Sequence, residues 1–182
     1  MIKSSEDLRF YIREDAKANG IRLGFSYYVK LLYGNINARA FRYLKSLRNY
    51  EYSINTHGLM LFWHRFYNRR LGVKYNIAIT PNTVGFGLKL PHLEQGVIIN
   101  CASMGNHCIV NCGVVLGNKG PGMNEKKPIV GNNVNCCVGC KIIGDVTIGD
   151  NVLVAPNSVV VKDVPANSVV AGIPAKVINQ SN

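Results

Sequence analysis

The chain has 182 residues, 21 Lys and Arg against 10 Asp and Glu, and a formal net charge of +11. Its 47 % hydrophobic content is that of a folded globular protein rather than a disordered one, and its length suits one main domain with a small appendage. No charged-then-apolar-then-small leader pattern stands at the N-terminus, and the apolar run 58–63 is far too short to cross a bilayer. A cytoplasmic protein is therefore expected, at most peripheral to the inner face of the membrane.

The charge is uneven. Residues 1–76 hold 14 Lys and Arg, including all nine arginines, against five acids, a net +9; residues 77–182 hold seven against five, a net +2. A basic helical segment, 1–75, thus precedes a second domain, 76–182. Within the first, residues 5–19 read as a helix, with Ser4 and Asp7 spaced as a capping box and Gly20 as its stop. A second helix over 36–50 carries Ile36, Ala40, Tyr43, Leu44 and Leu47 as its apolar stripe. A third, 59–71, places Leu59, Phe62, Trp63, Phe66 and Tyr67 on one side with Arg65, Arg69 and Arg70 flanking, and Gly72 closes it. A basic aromatic helix suits an anionic membrane surface, but packing on the end of a repeat domain or on a sister subunit is the simpler expectation. Nucleic acid is not an expected partner, because no groove-binding or single-strand motif accompanies the charge.

From Val130 to Val164 the chain repeats every six residues. An aliphatic residue recurs at Val130, Ile142, Ile148, Val154 and Val160, with Cys136 in the one gap. Four residues after each stands Val134, Cys140, Val146, Val152, Ser158 or Val164. A second run places Ile98, Met104, Val110 and Leu116 inward, partnered by Ala102, Cys108 and Val114. Pairs such as Gly105-Asn106, Gly131-Asn132 and Gly149-Asp150 fall where turns need φ > 0. Six fits neither the 3.6 of an α-helix nor the 2 of a plain strand; it fits a parallel β-helix whose inward residues stack from coil to coil.

All six cysteines lie between Cys101 and Cys140. Cys137-x-x-Cys140 has redox or zinc spacing, but the register turns Cys136 and Cys140 inward and Cys137 elsewhere. Small buried thiols filling a narrow coil are expected, and no metal. His107 falls on an outward position. With His92 it makes two histidines in the repeats, one short of a three-histidine zinc site.

Regular hexads build scaffold, so chemistry is expected where the period fails. Between Leu90 and Ile98 the step is eight residues and contains Pro91-His92-Leu93-Glu94-Gln95-Gly96. Between Leu116 and Val130 it is fourteen, and residues 118–127 form a Gly-rich basic loop that should project from the coil. A neutral imidazole suits removal of a proton from a hydroxyl near pH 7, which makes His92 a candidate general base.

In the run from Val84 to His92, the loop after Val-Leu-Gly117, the hexads and the ending from Asp163 through Lys176, the chain resembles the serine acetyltransferase branch of the hexapeptide-repeat acyltransferases over about residues 76–178. The resemblance implies a left-handed parallel β-helix, assembled as a homotrimer or a dimer of trimers. Acetyl-CoA would bind in a cleft between subunits, with His92 as base. It places Asn118 and Val138 beside the pantetheine arm and Lys176 near a CoA phosphate, with Lys162 as a weaker candidate. The chain departs from that branch in three places. Pro91 replaces the Asp before the histidine, Ile77 or Ala78 stands at a second carboxylate, and Lys126-Lys127 replaces Arg-His at the end of the loop. Glu94 is the nearest substitute in sequence for the lost carboxylates, and Glu94, Lys126 and Lys127 are the candidate acceptor-binding residues. Pro-His followed by Gly-Val-Ile-Ile-Asn resembles members that acetylate sugars in surface-polysaccharide synthesis. A sugar hydroxyl is therefore the first expected acceptor, L-serine the second, and a non-catalytic assembly protein the remaining alternative.

Overall fold

A computed structural model describes residues 1–122 and 125–180 of the chain. Four helices come first: α1 (Ser5–Ala18), α2 (Phe25–Leu32), α3 (Ile36–Asn55) and α4 (Leu61–Tyr75). Thirteen short strands follow: β1 (Ile77–Ile79), β2 (Val97–Ile99), β3 (Ser103–Met104), β4 (Ile109–Val110), β5 (Val115–Gly117), β6 (Ile129–Val130), β7 (Asn135–Cys136), β8 (Lys141–Ile143), β9 (Thr147–Ile148), β10 (Leu153–Val154), β11 (Val159–Val160), β12 (Ser168–Gly172) and β13 (Ala175–Gln180). The strands form three faces, β1-β2-β5-β8-β11, β3-β6-β9 and β4-β7-β10-β12-β13, with every pairing parallel except β12 with β13. This is a left-handed parallel β-helix with an N-terminal helical segment.

Strands this short arise because a hexad spends its residues on one inward aliphatic, its neighbours and a turn. The inward residues stack in three ladders: Ile99–Leu116–Ile142–Val160, Met104–Val130–Ile148 and Val110–Cys136–Val154–Val170. A regular coil, as from Val130 to Ile148, takes 18 residues; the coil from Leu116 to Ile142 takes 26, so the segment between β5 and β6 inserts eight. Met123 and Asn124 of the expected loop lie outside the described residues.

Upstream, Met104, Val110 and Leu116 point inward as expected, with Cys108 and Val114 as their buried partners, but the start of the run is shifted by one residue. β2 alternates, so Val97 and Ile99 point inward and Ile98 is 46 % exposed; Cys101, not Ala102, is the small buried partner. The turn chemistry also differs. Gly105, Gly131 and Gly149 are not at positive φ; those positions go to asparagines such as Asn133, Asn151 and Asn167, which hydrogen-bond from coil to coil at 3.1 and 2.8 Å. Gly131 is needed because a Cβ there would run into the Asp150 side chain and backbone of the next coil.

In the helical segment, the Ser4–Asp7 capping box closes as read from sequence. α2 has no counterpart in the sequence reading, and α3 runs on to Asn55. α4 does not stop at Gly72 but passes through it to Asn76, which caps it at φ 55. Gly72 serves close packing instead: a Cβ would sit 2.7 Å from the Ile77 carbonyl oxygen. α4 packs inward through Asn68, Leu71 and Tyr75, so the expected packing of its aromatic side on the β-helix does not occur; Phe62 and Trp63 are 69 % and 59 % exposed.

Tyr43, Leu44 and Leu47 of α3 and Leu71 of α4 continue the β-helix core without a break. Beside this apolar contact lies a buried ionic one. Arg48, fully buried, pairs with Asp15 of α1 at 2.8 Å and Glu51 at 3.0 Å, and donates to the Val84 and Gly85 carbonyls at 2.9 and 2.6 Å. Asp15 accepts from the Gly87 and Leu88 amides, and Glu51 from Asn82. Burial works against the Arg48 charge, but the two carboxylates outweigh it and hold its pKa above the ordinary arginine value. Removing one member strands the other charges in the interior, so Arg48→Ala is expected to cost about 3–5 kcal/mol of unfolding free energy, measured by urea denaturation.

The cysteines are free; five are buried and Cys137 is half-buried. Burial pushes the Cys108 thiol up to about 11, and raises Cys101 and Cys137. Cys136 is raised well above the ordinary thiol value by its contact with the Cys140 thiol and then by burial. A raised thiol pKa means less thiolate at a given pH, and thiolate is the reactive form. Native protein treated with iodoacetamide at pH 7.5 is therefore expected to label slowly, and at Cys137 alone, by peptide mass analysis.

Candidate active site

The first coil is irregular. Ile79 pairs with Ile99, a step of 20 residues, and much of the excess lies in the corner 91–96. Leu93 is buried and anchors that corner, while Gly96, at φ 76, donates to the Leu93 carbonyl at 3.1 Å and turns the chain into β2. With Leu93 pointing inward, its neighbours His92 and Glu94 both stand in solvent, each side chain 56 % exposed. Glu94 Oε2 lies 3.9 Å from His92 Nδ1, within ion-pair reach and beyond a direct hydrogen bond.

The approach to this corner is tied to α1. Asn19 donates to the Leu88 carbonyl at 2.8 Å and accepts from the Leu90 amide at 3.2 Å, next to the two amides held by Asp15. The backbone leading into His92 is thus held by the helical segment as well as by the coil below.

A cleft of about 800 Å³ opens beside the corner, reaching it at Gln95 and Gly96. Its floor is the outer face of β1, β2 and β5, where Ala78, Ile98 and Val115 are in register, and α4 overhangs it with Arg65, Asn68 and Arg69. No acid lines it. Among the described residues the ion pairs involve only Arg48 and His92, so Arg65 and Arg69 have no carboxylate partner there. In the sequence these arginines stand only as flanks of an aromatic helix face. The available signal was that no acid occurs between Glu51 and Glu94.

The other candidates fall on two edges of the β-helix. The His92 corner stacks on Gly113, then on Gly139, through Gly113 N to Gly96 O at 2.6 Å and Gly139 N to Cys112 O at 2.9 Å. Val138, 38 % exposed, therefore lies on the same edge as His92. Lys141 reinforces that edge by donating to the Gly113 and Gly139 carbonyls. Asn118, half-buried, and Lys126 and Lys127, exposed and half-buried, belong to the segment between β5 and β6, on the edge across the β1-β2-β5-β8-β11 face. Lys162, exposed after β11, is on that second edge as well. Lys176, exposed, sits in β13 opposite Ala171. One chain therefore does not gather these residues around His92. His107, also exposed, holds a turn at φ 57 with its ring edge-on to Phe86 at 5.1 Å. No group of three or more His, Cys, Asp or Glu suited to a metal occurs among the described residues.

No family model matches the chain. A serine acetyltransferase of Synechococcus elongatus is 38 % identical over 98 residues, covering 54 % of this chain and 40 % of that protein. Serine acetyltransferase 2 of Arabidopsis thaliana is 37 % identical over 110 residues, covering 60 % and 34 %. The matches span less than half the length of these relatives. Among solved structures, a Neisseria gonorrhoeae serine acetyltransferase in complex with serine superposes with a TM-score of 0.74 at 26 % identity, covering 97 % of this chain and 71 % of that one. A soybean serine acetyltransferase apoenzyme gives 0.76 at 25 % identity, covering 94 % and 69 %.

Proposed function

We propose that this chain is a CoA-dependent O-acetyltransferase in which His92 is the general base. The observation that carries the proposal is the exposed His92–Glu94 pair, set at the break in the repeat and bordering an acid-free cleft. Nε2 of His92 takes the proton of an acceptor hydroxyl as the oxygen attacks the thioester carbonyl of acetyl-CoA. Collapse of the tetrahedral intermediate breaks the carbon–sulfur bond, and the imidazolium returns the proton to the departing CoA thiolate. The products are an acetyl ester and CoA, with no metal or redox partner in the balance.

L-serine is the acceptor we favour, because the relatives and structural neighbours described above are serine acetyltransferases. This reverses the order expected from Pro91-His92, which put a sugar first. Arg65 and Arg69, free of acid partners at the cleft, offer a grip for the serine carboxylate where Lys126-Lys127 departs from the Arg-His of the resembling branch. A sugar hydroxyl remains the second reading. It is favoured by a cleft of about 800 Å³, far larger than serine fills, and by Pro91 and Ile77 or Ala78 standing where that branch has carboxylates.

The two-edge placement supports a trimer. Asn118, Lys126 and Lys127 reach a ligand at His92 when the second edge of one subunit meets the first edge of the next, which makes the proposed CoA cleft a shared one.

The test is CoA release from acetyl-CoA, followed with a thiol reagent, with L-serine and with a panel of sugars. Turnover with L-serine is the expected result, turnover with sugars alone would establish the second reading, and no turnover together with no acetyl-CoA binding by calorimetry would leave the non-catalytic assembly protein. His92→Ala is expected to lower kcat by about 10²–10⁴ while acetyl-CoA binding is unchanged. Arg69→Ala is expected to raise KM for L-serine by roughly ten- to a hundredfold with kcat little changed, since it removes a charge-assisted contact made in ground and transition states alike.

A further inference from the structure

α4 turns toward solvent a face that none of the described residues covers. With Asn68, Leu71 and Tyr75 facing inward, the helical period sets Phe62, Phe66 and Val73 along the middle of the opposite side, where they are 69 %, 47 % and 78 % exposed. Leu59, just before the helix, is fully exposed. Trp63, Arg70 and Lys74 line one flank of this apolar stripe, and Arg65 and Arg69 line the other. The Phe62 and Trp63 rings meet edge to face at 5.7 Å, and the Arg70 guanidinium lies 5.8 Å from the Phe66 ring centre. α2 adds Phe25, Tyr28 and Leu32, 84 %, 60 % and 85 % exposed. Tyr28 of α2 and Tyr67 of α4 line a common groove over α3, so the two aromatic surfaces adjoin.

The charge of this surface is of one sign. No acid occurs between Asp15 and Glu51 or between Glu51 and Glu94, and Glu51 is buried against Arg48. α2 and α4 therefore expose cations only. An apolar stripe with an aromatic residue at its border and Arg and Lys along its sides is the pattern of a helix that lies in a membrane interface. No helix among the described residues is long and apolar enough to cross a membrane, so the contact would be peripheral. A second copy of the chain fits this surface poorly, because a two-fold contact would set a face whose only charges are Arg65, Arg69, Arg70 and Lys74 against the same face of the copy, with no acid to neutralise them.

We propose that α4, with α2 beside it, docks the protein on an anionic lipid bilayer, Phe62, Phe66 and Val73 entering the headgroup–acyl boundary and Arg70 and Lys74 meeting lipid phosphates. This docking does not depend on the acetyl-transfer reading.

Trp63 is the one tryptophan of the chain and sits at the edge of the stripe, so its fluorescence reports the contact directly. The full chain is mixed with vesicles of phosphatidylcholine containing one-third phosphatidylglycerol, and with pure phosphatidylcholine vesicles. Cosedimentation with the anionic vesicles and a blue shift of Trp63 emission are expected, both reversed by about 0.5 M NaCl, where screening shortens electrostatic reach to a few ångströms. Phe62→Ser with Phe66→Ser is expected to abolish the blue shift, and Arg70→Glu with Lys74→Glu to weaken cosedimentation by at least about tenfold. All four positions are exposed, so both variants should keep the wild-type melting temperature. Absence of binding, or equal binding to neutral vesicles, would overturn the proposal. So would a Trp63 emission already blue-shifted in buffer that moves red on dilution, because that would show a second copy covering the face.

Discussion

The charge cluster of Arg48, Asp15 and Glu51 joins the two parts of this molecule. A β-helix alone has an open first coil, whose backbone amides and carbonyls lack a coil above to pair with. Here the groups from Asn82 to Leu88 are met instead by side chains of α1 and α3: Arg48 takes two carbonyls, Asp15 two amides and Glu51 one. Burying three charges is costly, and mutual pairing together with saturation of the coil's backbone groups offsets that cost. The candidate base sits four residues beyond Leu88, and Asn19 of the same helical segment holds Leu88 and Leu90 between them.

The site itself follows from a failure of the repeat. The lengthened corner 91–96 sets His92 and Glu94 in solvent on either side of the buried Leu93. The second break, between β5 and β6, extends a different edge. Since one chain keeps these edges apart, the fold supports chemistry at the junction of two subunits more readily than within one.

The hexad period made the β-helix, its buried cysteines and the break at His92 legible from sequence, because stacking imposes the same residue type at the same step. The inward position is Ile99 rather than Ile98 because the step from Ile99 to Met104 is five residues and not six, a break that the run of aliphatics 97–99 hides in the sequence. Gly131 was assigned to φ > 0 when its actual constraint is the approach of Asp150 from the next coil, a contact 19 residues distant in sequence that no local pattern reveals. The clamp left a trace: Arg48 and Glu51 continue the inward spacing of Leu44 and Leu47 along α3. What that trace lacked was the partner, since Asp15 lies 33 residues away.

Sequence by itself thus determined the coil, its inward ladder over residues 130–164 and the position of the candidate base, all properties of local period and residue type. Tertiary structure decided the rest. It brought Glu94 to the Nδ1 side of His92, placed Arg65 and Arg69 over an acid-free cleft, and turned the aromatic side of α4 outward. Each of these depends on how helices seat against the first coil, which is set by contacts between residues far apart in the chain and by which side of α4 the core could fill.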